Sequence, residues 1–156
     1  MKQILLSFIY RAKGQNPGGE ISFFCLLLLG AQVSSVHGVG IQFVDVTKAV
    51  GIDFVHHSGI SEEKRLPETD GSGAAFFDYD GDGDQDLYLV NSGDLITGRG
   101  PWKNALYRNE GGLFVDVTDQ TNSAGDAYGM GVVAADYDAD GDADLYLTNW
   151  GPDMLY

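Results

Sequence analysis

From Gly71 onward the chain alternates short apolar runs with polar, glycine-rich stretches. Ala74–Phe77 and Leu87–Val90 are four-residue apolar runs on either side of an acidic stretch. That length and the flanking turn residues predict a buried β-hairpin. Ala105–Arg108 and Leu113–Val117 predict two further strands, joined by the turn signal Asn109-Glu110-Gly111-Gly112. Past the leading 35 residues, no segment carries a helical apolar period of 11 or more residues.

The pattern repeats. A shift of 58 residues carries Gly71, Gly73, Leu87, Tyr88, Leu89, Asn91 and Gly93 onto Gly129, Gly131, Leu145, Tyr146, Leu147, Asn149 and Gly151. A shift of 71 carries Phe43-Val44-Asp45-Val46-Thr47 onto the identical Phe114-Val115-Asp116-Val117-Thr118. Gly151-Pro152-Asp153-Met154-Leu155-Tyr156 echoes the stretch from Gly100-Pro101 to Leu106-Tyr107. Periods of this size mark stacked or radial repeats. Four strands per unit, punctuated by 22 glycines, are the grammar of a propeller blade. The expected fold is an all-β partial β-propeller: an outer strand at 41–47, one whole blade over 71–118 and half of another over 129–156. A propeller closes with about four blades or more, so the chain reads as a fragment of a larger repeat array.

The leading 35 residues read as an export signal. Lys2, Arg11 and Lys13 precede the apolar run Ile21–Gly30, which is shorter than the roughly 20 residues of a membrane span. Cys25, the one cysteine, lies inside that run, so the mature chain would carry neither thiols nor disulfides. No membrane span is expected after cleavage, and the destination is secreted, periplasmic or cell-surface. From residue 36 onward lie 22 of the 23 acidic residues but only six of the nine Lys and Arg. Such a surface argues against nucleic-acid binding, which needs clustered basic side chains. It favours cations and basic partners.

Ten of those acids stand at every second position of two loops, 78–86 and 136–144. The first holds Asp78, Asp80, Asp82, Asp84 and Asp86; the second holds Asp136, Asp138, Asp140, Asp142 and Asp144. Each has carboxylates at loop positions 1, 3, 5 and 9 and a glycine at position 6, Gly83 or Gly141. Two carboxylates about 5 Å apart repel by about 3 kcal/mol at an effective dielectric of about 20, so such a loop calls for a counter-ion. Ca²⁺ takes about six to eight oxygens and suits the spacing; Mg²⁺ demands a tighter octahedron and keeps its waters. A helical EF-hand would need an acid at position 12, where Leu89 and Leu147 stand in β-like runs. The nonapeptide rhythm of a calcium β-roll is also absent.

The stretch Gly71-x-Gly73-Ala74-Ala75-Phe76-Phe77-Asp78, followed by the acidic loop and Leu87-Tyr88-Leu89, resembles an FG-GAP or VCBS-type repeat. Asn104-x-Leu106-Tyr107-Arg108-Asn109 with Phe114-x-Asp116-Val117-Thr118 narrows the likeness to the cartilage acidic protein, ASPIC/UnbV family of exported repeat proteins. The resemblance covers 41–156. It implies a β-propeller, commonly seven-bladed, with Ca²⁺ held between the first two strands of a blade. It further implies that Asp78, Asp80, Asp82 and Asp86 donate carboxylate oxygens, while Asp84 gives a backbone carbonyl and turns its side chain to solvent. Asp136, Asp138, Asp140 and Asp144, with the Asp142 carbonyl, would do the same in the second loop. The ASPIC/UnbV domain itself is absent from these residues.

Other candidates for chemistry carry less. His56-His57 lack a third ligand at a sensible spacing and read as a loop or strand edge. Asp45 and Asp116 are carboxylates of the type that glycosidases use in pairs, but they recur with the repeat and read as turn contacts. Ser58 and Ser72 have no nucleophile-elbow context, and Glu62–Arg65 reads as a solvated loop tip. Trp102 and Trp150 are expected in core or rim packing rather than as sugar platforms. The reading is therefore a calcium-binding, non-enzymatic binding or adhesion module for an extracellular protein or glycan, with the 53–70 insertion as the recognition loop. The rival is the propeller part of a polysaccharide lyase or hydrolase whose catalytic residues lie elsewhere.

Overall fold

The computed structural model describes residues 42–156; the expected export segment, with Cys25, lies outside the described residues. Val46–Tyr156 belong to one compact unit. It is all-β in two antiparallel sheets. The first is a meander in the order β1 (Ala74–Phe77), β2 (Asp86–Leu89), β3 (Ala105–Asn109), β4 (Phe114–Asp116). The second is β5 (Gly129–Ala135), β6 (Asp144–Asn149), β7 (Met154–Leu155). Helical structure among the described residues is confined to the four-residue α1 (Thr118–Thr121) and a 3₁₀ turn at Leu66–Thr69. The first sheet has the four strands of the expected whole blade, and the second has three strands where the repeat predicts half a blade.

One expected strand is not formed. Residues 42–46 have no regular structure, and the chain then closes into a turn at 47–51. Val50 N–H donates to Val46 O at 3.0 Å, and Ile52 N–H donates to Thr47 O at 3.0 Å. Phe43–Thr47 and Phe114–Thr118 are identical in sequence, yet only the second copy contains a strand. Strand preference resides largely in the neighbours a side chain packs and pairs with. β4 pairs with β3 along Tyr107–Asn109, whereas residues 42–46 join neither sheet.

Side-chain alternation sets the core. Ala75, Tyr88 and Leu106 are cross-strand partners on one face of the first sheet. That face, with Phe77, Val90 and Val117, packs on Leu145 and Leu147 of β6. Burying each such side chain stabilises the fold by roughly 1.5–3 kcal/mol. β2, covered on both faces, is buried along its whole length.

Glycine spacing decides how close the two sheets come. A Cβ at Gly73 would lie 2.6 Å from Val132 N and 2.8 Å from the Gly131 Cα, whereas one at Gly71 would meet nothing within 4 Å. Gly73→Ala should therefore cost about 1–3 kcal/mol through overpacking against rigid backbone. Gly71→Ala should change stability by less than about 0.5 kcal/mol. Urea denaturation of the two variants side by side measures the contrast, and equal losses would contradict the packing.

The 53–70 insertion is tied down rather than free. The Tyr128 hydroxyl lies 2.9 Å from Ser58 O and 3.0 Å from Pro67 O. Asn91 Oδ1 accepts from His57 N–H at 2.8 Å, and its Nδ2 donates to Val55 O at 3.2 Å. Glu62, Glu63 and Lys64 form the exposed tip expected of them. Beneath it Glu68 is buried, its Oε2 accepting from Ser61 N–H at 2.9 Å and its Oε1 from Ser61 Oγ at 2.7 Å. The Ser61 amide, then the Ser61 hydroxyl, the Arg65 amide and the Arg65 guanidinium, hold the Glu68 carboxyl below the ordinary 4.5 against the effect of burial. A lowered folded-state pKa contributes stability that is present above the unfolded value and is lost as pH falls through the folded one. Protection of the Ser61 amide from hydrogen exchange should thus decline below a pH of about 4.5. In Glu68→Gln that pH dependence should vanish.

Candidate metal centre

The two acidic loops close the β1–β2 and β5–β6 hairpins, where register is set by Phe77 opposite Asp86 and Ala135 opposite Asp144. Each loop winds back on its first aspartate. Asp78 Oδ1 accepts from the Gly81 and Asp82 amides at 2.8 and 3.1 Å, and its Oδ2 accepts from Gly83 N–H at 2.9 Å. Asp136 accepts from the Asp140 and Gly141 amides at 3.1 and 3.2 Å. The fifth loop position repeats too: Asp82 Oδ1 accepts from Asp84 N–H at 2.8 Å, and Asp140 Oδ1 from Asp142 N–H at 3.0 Å. Gly83 and Gly141 sit at φ 92° and 101°, a conformation that side chains resist. Glycine at loop position 6 is thereby explained.

Carboxylate oxygens converge in both loops. In the first, one oxygen each from Asp78, Asp80 and Asp82 lie within 4.8 Å of one another; in the second, Asp136, Asp138 and Asp144 do so. All-oxygen, anionic donor sets at this spacing fit a hard divalent cation. The two triads differ in membership. Asp144 joins its triad while its Oδ2 accepts from Tyr137 N–H at 2.8 Å. Its counterpart Asp86 stands outside the first triad and is fully buried. Asp86 Oδ2 accepts from Tyr79 N–H at 2.8 Å, and its Oδ1 accepts from Asn109 N–H at 2.8 Å. Burial pushes the Asp86 carboxyl above its ordinary value; the Asn109 and Tyr79 amides oppose this, and the Asp80 and Asp82 charges add to it. Asp86 is thus a strap from the loop to the β3–β4 turn. Asp140 and Asp142 lie outside the second triad and are exposed.

Asp84 departs from expectation. Its carboxylate does not simply face water, because Oδ2 accepts from Gly111 N–H at 3.1 Å. The turn Asn109–Gly112 reaches across to the loop and offers its amides to both Asp84 and Asp86. No such turn faces the second loop among the described residues. Asp78, Tyr79, Asp80 and Gly81 face Asp136, Gly141, Asp142 and Ala143 across a groove of about 490 Å³. The two loops of successive repeats are thus neighbours.

Sequence reasoning overlooked two residues. Asn109 entered only as part of a turn and a motif, although its amide holds Asp86. Asn91 is a buried hub whose backbone N–H donates to Asn104 Oδ1 at 2.8 Å, and its side chain braces the insertion. The signal was its recurrence as Asn149, whose side chain likewise donates to a loop carbonyl, Pro152 O, at 3.0 Å. Other candidates make local contacts. Asp116 Oδ1 accepts from the Thr118 N–H and Oγ, a turn contact. His57 stacks on Trp102 with ring centroids 4.7 Å apart, while Trp150 is exposed.

Comparison with protein families places an FG-GAP-like repeat at residues 78–147. The match begins on the first aspartate of the first loop and ends in the strand after the second, so it spans both hairpin bends. Searches of curated proteins and of solved structures gave no significant match. Among the described residues no helix is long and apolar enough to cross a membrane.

Proposed function

We propose that the chain is part of an exported, calcium-stabilised β-propeller of the cartilage acidic protein, ASPIC/UnbV kind, and that it binds partners rather than catalysing a reaction. The observation that supports this best is the recurrence of a converging carboxylate triad at the same hairpin bend of two successive repeats. Asp78, Asp80 and Asp82 would hold one Ca²⁺ and Asp136, Asp138 and Asp144 another. Asp86 and Asp140 as further carboxylates, and the Asp84 and Asp142 carbonyls, are the additional donors that the resemblance implies. A bound divalent ion supplies charge neutralisation. The protein's part is to pre-wind each loop through backbone amides on Asp78 and Asp136, so that few degrees of freedom remain to be frozen on binding. Ligand affinity then adds to folding stability by linkage.

Partner recognition falls to the 53–70 insertion, which the Asn91, Tyr128 and Glu68 contacts hold in one shape. A binding surface gains from such preorganisation, since less entropy is lost on association. Secretion, a periplasmic location or the cell surface suits sites that fill at millimolar calcium. Thermal melting of the whole protein in calcium and in excess chelator tests the reading. Coincident curves would end it.

A further inference from the structure

A second cavity, of about 450 Å³, lies away from the acidic loops, between the Asp53–His57 stretch and the β3–β4 side of the first sheet. Its walls are chemically mixed. His57 and Trp102 are stacked, 14° from parallel, on one side. Asp53, Tyr107, Asp116 and Asp119 also line the cavity, with Lys103 as the one basic residue among the lining.

The hydrogen-bonding state of the lining decides which ligand fits. Three of its donors are already engaged. Tyr107 Oη donates to Asp53 Oδ1 at 2.8 Å, and Thr118 Oγ donates to Asp116 Oδ1 at 2.5 Å. Asn91 Nδ2 donates to the Val55 and Lys103 carbonyls, both at 3.2 Å. Burial, then the contact with Asp53, holds the Tyr107 phenol well above its ordinary value, so its proton remains committed to Asp53. Asp53 Oδ2, Asp116 Oδ2 and the Asp119 carboxylate take no hydrogen bond from a described residue. The cavity therefore offers acceptors and negative charge beside an aromatic wall. A neutral sugar hydroxyl can donate to one of these carboxylates but gains no charge pairing from them. A guanidinium has only donors, is planar, stacks on aromatic faces and pairs with carboxylates.

We propose that this cavity receives an arginine side chain of a protein partner, with Asp53 and Asp116 as its acceptors and the Trp102–His57 pair as its apolar wall. The proposal deepens the binding-module reading and rests on it for its biological purpose. The two are tested separately, since chelator melts address the ions and the following titration addresses the cavity.

Trp150→Phe in the full chain, kept in calcium, leaves Trp102 as the sole tryptophan reporter. Titrating it with acetyl-Gly-Arg-Gly-amide should change Trp102 fluorescence saturably. The citrulline peptide, the same shape without charge, should bind at least about tenfold more weakly, as expected for loss of charge-assisted hydrogen bonds. Raising salt from about 0.05 to 0.5 M should weaken the arginine peptide but not the citrulline one. Asp53→Asn with Asp116→Asn should also weaken it about tenfold, whereas Glu110→Gln, outside the cavity, should not. If the double variant fails to fold, the arginine-to-citrulline ratio on the unaltered cavity decides alone. Equal binding of the two peptides, no binding of either, or saturable binding of a neutral oligosaccharide in their place would overturn the proposal.

Discussion

Asp86→Ala should cost the calcium-free protein about 2–5 kcal/mol of folding stability. The side chain is fully buried, and each of its oxygens accepts one backbone N–H, from Tyr79 in the loop and from Asn109 at the end of β3. Truncation to a methyl group leaves two donors without partners, each a penalty of about 1–3 kcal/mol when water cannot reach it. It also detaches the β3–β4 turn from the first hairpin, so the loss should appear as a lower urea midpoint of the whole sheet. Asp144→Ala is the internal comparison. Asp144 is half-buried and straps only Tyr137 N–H, so its replacement should cost about half as much or less without calcium. Were the two losses equal, the distinction between a strap and a ligand would be unfounded.

The second large effect is that of the ion. With free calcium at about 100 times its dissociation constant, each of the proposed sites should stabilise the folded state by about 2.7 kcal/mol. In a domain of this size that corresponds to a rise of about 10–20 °C in melting temperature per site. Asp80 and Asp138 are the informative positions for removing it. Both are exposed members of a triad, and neither side chain accepts a hydrogen bond from a described residue, unlike Asp78, Asp82 or Asp136. Asp80→Ala or Asp138→Ala should therefore remove about half of the calcium-dependent shift and leave the chelated protein nearly as stable as before. Together they should remove most of it. A double variant with a full calcium response would place the ions elsewhere; a chelated double variant much less stable than its parent would mean these carboxylates are structural.

How much could be read from the chain alone depended on the range of the interaction. The strand runs at 74–77, 87–90 and 105–108 were legible because alternation and turn residues act over a few positions, and the structure bears them out within a residue or so. The spacing of both acidic loops was equally plain, as was glycine at position 6, because a loop that bends on its own first aspartate is a local object. What failed did so where identical sequence meets different surroundings. Phe43–Thr47 matches Phe114–Thr118 letter for letter, but only the latter contributes a strand among the described residues. Asp84 was expected to face water, since nothing in its neighbourhood announces Gly111.

The residues themselves therefore determined an all-β repeat, the positions of its hairpins and the oxygen-rich chemistry at their bends, all of it set by contacts between near neighbours. Folding in three dimensions decided which equivalent residues would differ: Asp86 a buried strap and Asp144 a member of a triad, Gly73 pressed against the next sheet and Gly71 in open space. It also brought His57 beside Trp102 and Asp53 beside Tyr107, groups far apart in the chain, to make a second cavity. Such differences arise because burial and partner geometry depend on which distant backbone arrives alongside, and a repeated motif does not encode that twice in the same way.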